Sequence, residues 1–156
     1  MLSVGCLIIG CGNRQRGDDG AGVLAAERLG TLGIEAKTCL GEASELMEAW
    51  SGADEVILID AVATGAAAGT VHVWNARLPM ARGRSSSSTH GMGVAEAIAL
   101  ARTLDRLPAH LRVYGIEGKR FEVGTEVSPE VMRAVEEVVR RIANEIAQGQ
   151  ESSSAR

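Results

Sequence analysis

The chain has 156 residues, of which 46% are apolar, 3% aromatic and 23% charged, with a formal net charge of −4. That length gives one domain whose core is built from Val, Ile, Leu and 23 alanines, and excludes a disordered chain, a collagen-like repeat and a disulfide-stapled mini-protein. The acidic balance and the scarcity of rings exclude a nucleic-acid binder.

Val4 to Ile9 is a compact apolar run ending at Gly10 and predicts a buried strand. Within it, Cys6 to Ile9 is too short for a membrane span or a signal-peptide core. A Gly-rich loop follows, and then Ala21 to Leu29 predicts a helix stopped by Gly30. Ile34 to Leu40 alternates and predicts a half-buried strand. Ser44 is placed to cap a short helix carrying Leu46, Met47 and Trp50. Val56 to Ile59 is a second unbroken apolar run, and it stops at Asp60. Thr70 to Trp74 alternates again.

The stretch from Arg77 to Thr89, with Pro79, Gly83 and Ser85 to Ser88, predicts an irregular loop. Val94 to Leu104 has helical spacing of apolar residues, and Leu111 to Ile116 reads as the last strand. Ser128 and Pro129 are an N-cap and first-turn pair for a long helix with the stripe Val131, Val135, Val138, Val139, Ile142 and Ile146. Residues 1–148 are expected to form the single domain, with a disordered tail over 149–156. Strands alternating with helices give an α/β domain of three α/β/α layers around a mainly parallel sheet. In such sheets ligands bind where loops leave the carboxyl ends of strands, which directs attention to the residues after Ile9 and Ile59.

Residues 10–22 hold five glycines, at Gly10, Gly12, Gly17, Gly20 and Gly22. The spacing resembles a phosphate cradle, yet Gln15 breaks the dinucleotide fingerprint and Asp18 and Asp19 stand where a P-loop needs Lys and Ser or Thr. Two carboxylates there repel a phosphate. One of them is accounted for by favourable placement at a helix N-terminus, but capping uses a single side chain. Asp60 reads either as a turn residue after a strand or as a functional carboxylate at a strand's carboxyl end. His90 ends the Ser-rich loop; His72 and His110 are weaker candidates. Asp19, Asp60 and His90 together are a donor set for a borderline divalent ion such as Ni or Zn, although their spacing does not by itself bring them together.

Cys6, Cys11 and Cys39 are odd in number and include no Cys-x-x-Cys pair, so reduced thiols in a cytoplasmic setting are expected, with neither a zinc ribbon nor a thioredoxin-type site. A His-Glu-x-x-His helix and a Gly-x-Ser-x-Gly elbow are both lacking, which disfavours conventional zinc peptidases and serine hydrolases. Cys11 acting with His90 is a minor alternative nucleophile.

Taken in order, Leu7-Ile8-Ile9-Gly10-Cys11-Gly12-Asn13, Gly17-Asp18-Asp19-Gly20-Ala21-Gly22, Leu58-Ile59-Asp60-Ala61, Ser88-Thr89-His90-Gly91-Met92-Gly93, Tyr114-Gly115-Ile116-Glu117 and Ser128-Pro129-Glu130-Val131 resemble the hydrogenase maturation protease family. The resemblance covers nearly the whole chain apart from the tail. It implies a twisted, five-stranded, mostly parallel sheet between helical layers (phosphorylase/hydrolase-like). It also implies an endopeptidase that removes the C-terminal extension of a nickel-loaded [NiFe]-hydrogenase large-subunit precursor. By motif position Asp19, Asp60 and His90 would hold the metal, with Asp19 and Asp60 catalytic. The nickel would arrive with the substrate precursor, with no permanently bound cofactor.

Many members carry Glu where Asp19 stands, a side chain longer by one methylene or about 1.5 Å. Gly41-Glu42-Ala43 departs from the small hydroxyl-bearing segment of some members. The expected partner is the precursor alone, without nucleic acid or membrane, and the protein is expected to be a monomer. A non-proteolytic assembly factor recognising the same nickel centre is the alternative function, and a hydrolase of a small substrate is a third.

Overall fold

The computed structural model describes residues 5–76 and 93–154. The irregular loop expected from Arg77 to Thr89, including Ser85 to Ser88, lies outside the described residues, and so does His90. The chain runs β1 (Leu7–Cys11), a 3-10 turn (Gly17–Gly20), α1 (Ala21–Thr31), β2 (Lys37–Cys39), α2 (Ala43–Ala49), β3 (Glu55–Val62), β4 (Val71–Asn75), α3 (Val94–Thr103), β5 (His110–Glu117) and α4 (Pro129–Ser154). The strands form one five-stranded sheet in the order β2-β1-β3-β5-β4. All pairs are parallel except β4 with β5. The α/β reading of the sequence holds.

Alternation along the central strands sorts the core into two layers. Ile57, Ile59 and Ala61 face α1 and α4 with Ile8, Tyr114 and Ile116. Val56 and Leu58 face α2 and α3 with Ile9, Leu111 and Val113. A strand buried on both faces carries an unbroken apolar run, and each such side chain contributes about 1.5–3 kcal/mol on burial. The α4 stripe of Val131, Val135, Val138, Val139 and Ile142 is buried as its spacing predicts.

The differences from the sequence reading concern element ends. β3 does not stop at Ile59 but continues through Asp60 to Val62, because its ladder to β5 continues as far as Val62 opposite Glu117. Asp60 is therefore an in-strand residue rather than a turn residue. The strand expected from Ile34 to Leu40 is only Lys37–Cys39, since it is an edge strand whose register with β1 spans those three positions. Ser44 lies inside α2 and is not its cap; instead the Glu45 carboxylate accepts the Leu40 N–H at 2.8 Å. The α4 backbone stays helical past Gly149 to Ser154, beyond the expected start of a disordered tail. Among the described residues no helix is long and apolar enough to cross a membrane.

Candidate functional site

Two glycines set how closely α1 approaches the sheet. A Cβ on Gly22 would strike the carbonyl oxygens of Ile59 and Cys11, and one on Gly10 would strike the Gly22 carbonyl. Glycine at both positions lets the first turn of α1 rest directly on β1 and β3, and this brings the acidic 3-10 turn to the carboxyl edge of the sheet. The Gly-rich segment thus serves close helix–strand packing. Gly12, with φ +132°, bends the chain out of β1, and its Cα lies against the Asp19 backbone.

The adjacent aspartates of that turn have different partners. Asp18 is fully buried and accepts hydrogen bonds from the N–H groups of Lys119 (2.8 Å), Arg120 (3.0 Å) and Ser128 (2.7 Å) and from the Ser128 hydroxyl (2.8 Å). Burial pushes its carboxyl up, but the Lys119, Ser128 and Arg120 N–H groups outweigh this and hold it below the ordinary carboxylate range. Asp18 is the latch between the 3-10 turn and the segment leading into α4. This use of the Ser128 hydroxyl replaces the expected side-chain cap, although the Ser128 carbonyl still accepts the Met132 N–H at 3.0 Å. Asp19 instead takes the Asn13 N–H on Oδ2 at 3.0 Å and bears electrostatically on Asp60.

Asp60 has the least compensated environment. It is 2% exposed, and neither carboxylate oxygen has a well-formed hydrogen bond among the described residues. Burial first, and the Asp19 carboxylate second, push its carboxyl well above the ordinary range, opposed only in part by the Ala61 N–H.

Register shows what surrounds it. Gly10 of β1 lies opposite Ile59 of β3, so the next residues along the two strands, Cys11 and Asp60, are neighbours. Asp60 lies opposite Gly115 of β5, Gly115 lies opposite His72 of β4, and Cys11 lies opposite Cys39 of β2. A single row, Cys39, Cys11, Asp60, Gly115 and His72, therefore crosses all five strands on the face that α2 and α3 cover. Gly115 leaves room in this row for the Trp74 ring, which a Cβ there would strike.

At the two ends of the row lie features the sequence reading ranked low or missed. His72 Nε2 is 3.1 Å from Oε1 of Glu117, a residue 2% exposed, and the His72 ring stacks on Trp74 at 5.2 Å. Glu117 also accepts the Thr64 N–H (2.8 Å) and hydroxyl (2.6 Å), so it fixes the segment after β3. The glutamate closing Tyr114-Gly115-Ile116-Glu117 was the available signal. At the opposite end the sulfurs of Cys11 and Cys39 are 3.4 Å apart. That contact first, then burial, raises the Cys11 thiol well above its ordinary range.

Of the expected metal donors, Asp19 bears electrostatically on Asp60, and His90 lies outside the described residues. Among the described residues no group of three or more His, Cys, Asp or Glu side chains is arranged to hold an ion. The two carboxylates suit a proton-transfer pair or part of a divalent-cation site.

Comparison with known proteins agrees with this architecture. A family model described as hydrogenase maturation protease matches residues 41–145. Protein FrxA of Pyrococcus furiosus is 31% identical over 137 residues, an alignment covering 86% of this chain and 99% of that one. The solved [NiFe] hydrogenase maturation protease HybD from Thermococcus kodakarensis superposes with a TM-score of 0.63 at 26% identity, over 91% of this chain and 98% of that one. The hydrogenase maturating endopeptidase HybD of E. coli shares the fold with a TM-score of 0.70 at 19% identity, over 92% of each chain. With its fold, its acidic turn and its in-strand aspartate in the expected order, the chain belongs to the hydrogenase maturation protease family.

Proposed function

We propose that the protein is an endopeptidase that removes the C-terminal extension of a nickel-loaded [NiFe]-hydrogenase large-subunit precursor, acting as a monomer in the cytoplasm. Asp19 and Asp60 are its catalytic carboxylates, and with His90 they recognise the metal. The observation that carries this reading is Asp60, a carboxyl buried in the interior of a strand with no well-formed hydrogen bond among the described residues. A fold has no structural use for such a group, and isolated buried charge is costly. Its environment suits a group that gains its partners only when substrate arrives.

The chemistry follows from the unequal pair. Peptide hydrolysis needs a base for the attacking water and an acid for the leaving nitrogen. Asp19, held by the Asn13 N–H, is the carboxylate that takes the proton from water. Asp60, which keeps its proton above the usual range, delivers one to the amide nitrogen as the C–N bond breaks. The nickel belongs to the substrate. A divalent ion carried by the substrate orders this pair and orients the scissile bond against it, so an unmetallated precursor leaves the site unassembled.

The test is incubation with a large-subunit precursor with and without nickel, followed by intact mass. Loss of a C-terminal peptide only from the nickel-loaded form supports the proposal. Binding with unchanged mass identifies an assembly factor instead. Cleavage of generic small peptides without nickel identifies a broader hydrolase.

A further inference from the structure

We propose that Cys11 and Cys39 form a peroxide-sensitive dithiol that closes reversibly to an intramolecular disulfide at the edge of the Asp60 site and slows cleavage. Each cysteine is the last residue of its strand, and the two are register partners in a parallel pair with sulfurs 3.4 Å apart. Neighbouring strands lie about 4.8 Å apart, inside the ~4.4–6.8 Å Cα separation that disulfides require. Bond formation therefore needs the sulfurs to approach to about 2.05 Å without relocation of a whole element. β2 can supply that movement. It is three residues long, is paired only to β1, and is followed by exposed Leu40 and by Gly41 at φ +96°.

The two thiols differ in access, which orders the reaction. Cys39 is half-buried and meets the oxidant, whereas Cys11 is buried behind it. A peroxide oxidises the Cys39 thiol to a sulfenic acid and is itself reduced to water or an alcohol. The Cys11 sulfur then attacks the Cys39 sulfur, the S–O bond breaks, and the oxygen leaves as water with the remaining proton. Two thiols lose two electrons in all, and the peroxide accepts them. Cys6 precedes β1 at its opposite end and has no part in the pair.

The consequence for cleavage rests on the function proposed above. Cys11 neighbours Asp60 in the row, and Gly12, whose N–H is bonded to the Cys39 carbonyl at 2.9 Å, packs on the backbone of Asp19. Drawing Cys39 onto Cys11 shifts the junction that positions both carboxylates. Displacements of about 1 Å at a catalytic pair reduce rates by roughly tenfold to a hundredfold.

The full chain is treated with hydrogen peroxide at neutral pH, free thiols are alkylated, and the digest is mapped by mass. The expected result is a peptide linking Cys11 to Cys39, lighter by two hydrogens, with Cys6 alkylated and the link lost on dithiothreitol treatment. Cleavage of the nickel-loaded precursor then falls about tenfold or more and recovers with dithiothreitol, whereas Cys39→Ser cleaves at one rate with or without peroxide. Failure to find the linked peptide overturns the proposal, and a linked protein with undiminished cleavage overturns its effect on the site. The wild-type map decides the linkage even if Cys39→Ser does not fold, and Cys39→Ala then serves for the rate comparison. Reduced protein that cleaves no precursor overturns the functional reading and the switch together, leaving the linkage to the map.

Discussion

Three aspartates show why residue identity underdetermines role. Asp18 and Asp19 are consecutive, yet the partners that separate them lie more than a hundred positions away, at Lys119, Arg120 and Ser128 for Asp18. No local pattern carries that information, so the sequence reading could assign one acid to capping without saying which. Asp18→Ala strands several buried N–H groups and should cost on the order of 3 kcal/mol in chemical denaturation. Because the folded Asp18 carboxyl lies below its unfolded value, its stabilisation is present at neutral pH and fades as pH falls below about 4 toward the depressed folded value. The variant and the parent should therefore converge in acid. Asp60 carries the opposite sign. Its folded carboxyl lies above its unfolded value, so stability is highest at low pH and declines as pH rises from about 4 through the raised folded value. Asp60→Asn should melt several degrees above the parent at pH 8, with the gap narrowing in acid; equal melting curves across that range would show that burial does not strain this carboxyl.

At the scale of elements, the sequence shows where strands and helices lie but not always where they end. Among the described residues, unbroken apolar runs mark β1 and β3, which are buried on both faces, and alternation marks the edge strands β2 and β4. Asp60 interrupted the pattern of β3 without interrupting the strand, since ladder pairing to β5 on that side outweighs the poor strand preference of an aspartate. The edge strand β2 is shorter than its alternation predicts for the converse reason: alternation continues where the pairing with β1 does not. The glycine density of residues 10–22 is visible in the sequence, but the use of Gly10 and Gly22 is a three-dimensional contact between α1 and two strands. Gly22→Ala should therefore cost at least about 1–3 kcal/mol in urea unfolding, because the obstructing atoms are backbone and cannot turn aside. The same change should reduce precursor cleavage by displacing the turn that carries Asp19. Alanine at exposed Gly30, where an added Cβ meets nothing within 4 Å, should be neutral or slightly stabilising.

Across the whole molecule, chemistry and scaffold share one sheet. The α1 and α4 face is closed by a mainly aliphatic layer that includes Tyr114, while the α2 and α3 face carries the row from Cys39 to His72 at its carboxyl edge. Topology alone, by the rule that ligands meet such sheets at strand ends, pointed to the positions after Ile9 and Ile59. What topology could not show is that five separate strands contribute to one row, since that depends on registers fixed only in the assembled sheet. Glu117 and His72 gained their significance in the same way. Their pairing holds the segment after β3 and should be tested by Glu117→Gln, expected to lower thermal stability modestly and cleavage severalfold without abolishing it.

In the proposed function, the costly burial of Asp60 is retained for cleavage. Its most direct test is Asp60→Asn, incubated with the nickel-loaded large-subunit precursor and followed by intact mass beside the parent protein. The expected result is a folded variant, at least as heat-resistant as the parent at neutral pH, that leaves the precursor at full mass while the parent releases its C-terminal peptide. A folded Asp60→Asn protein that releases the same peptide at the parental rate would contradict it.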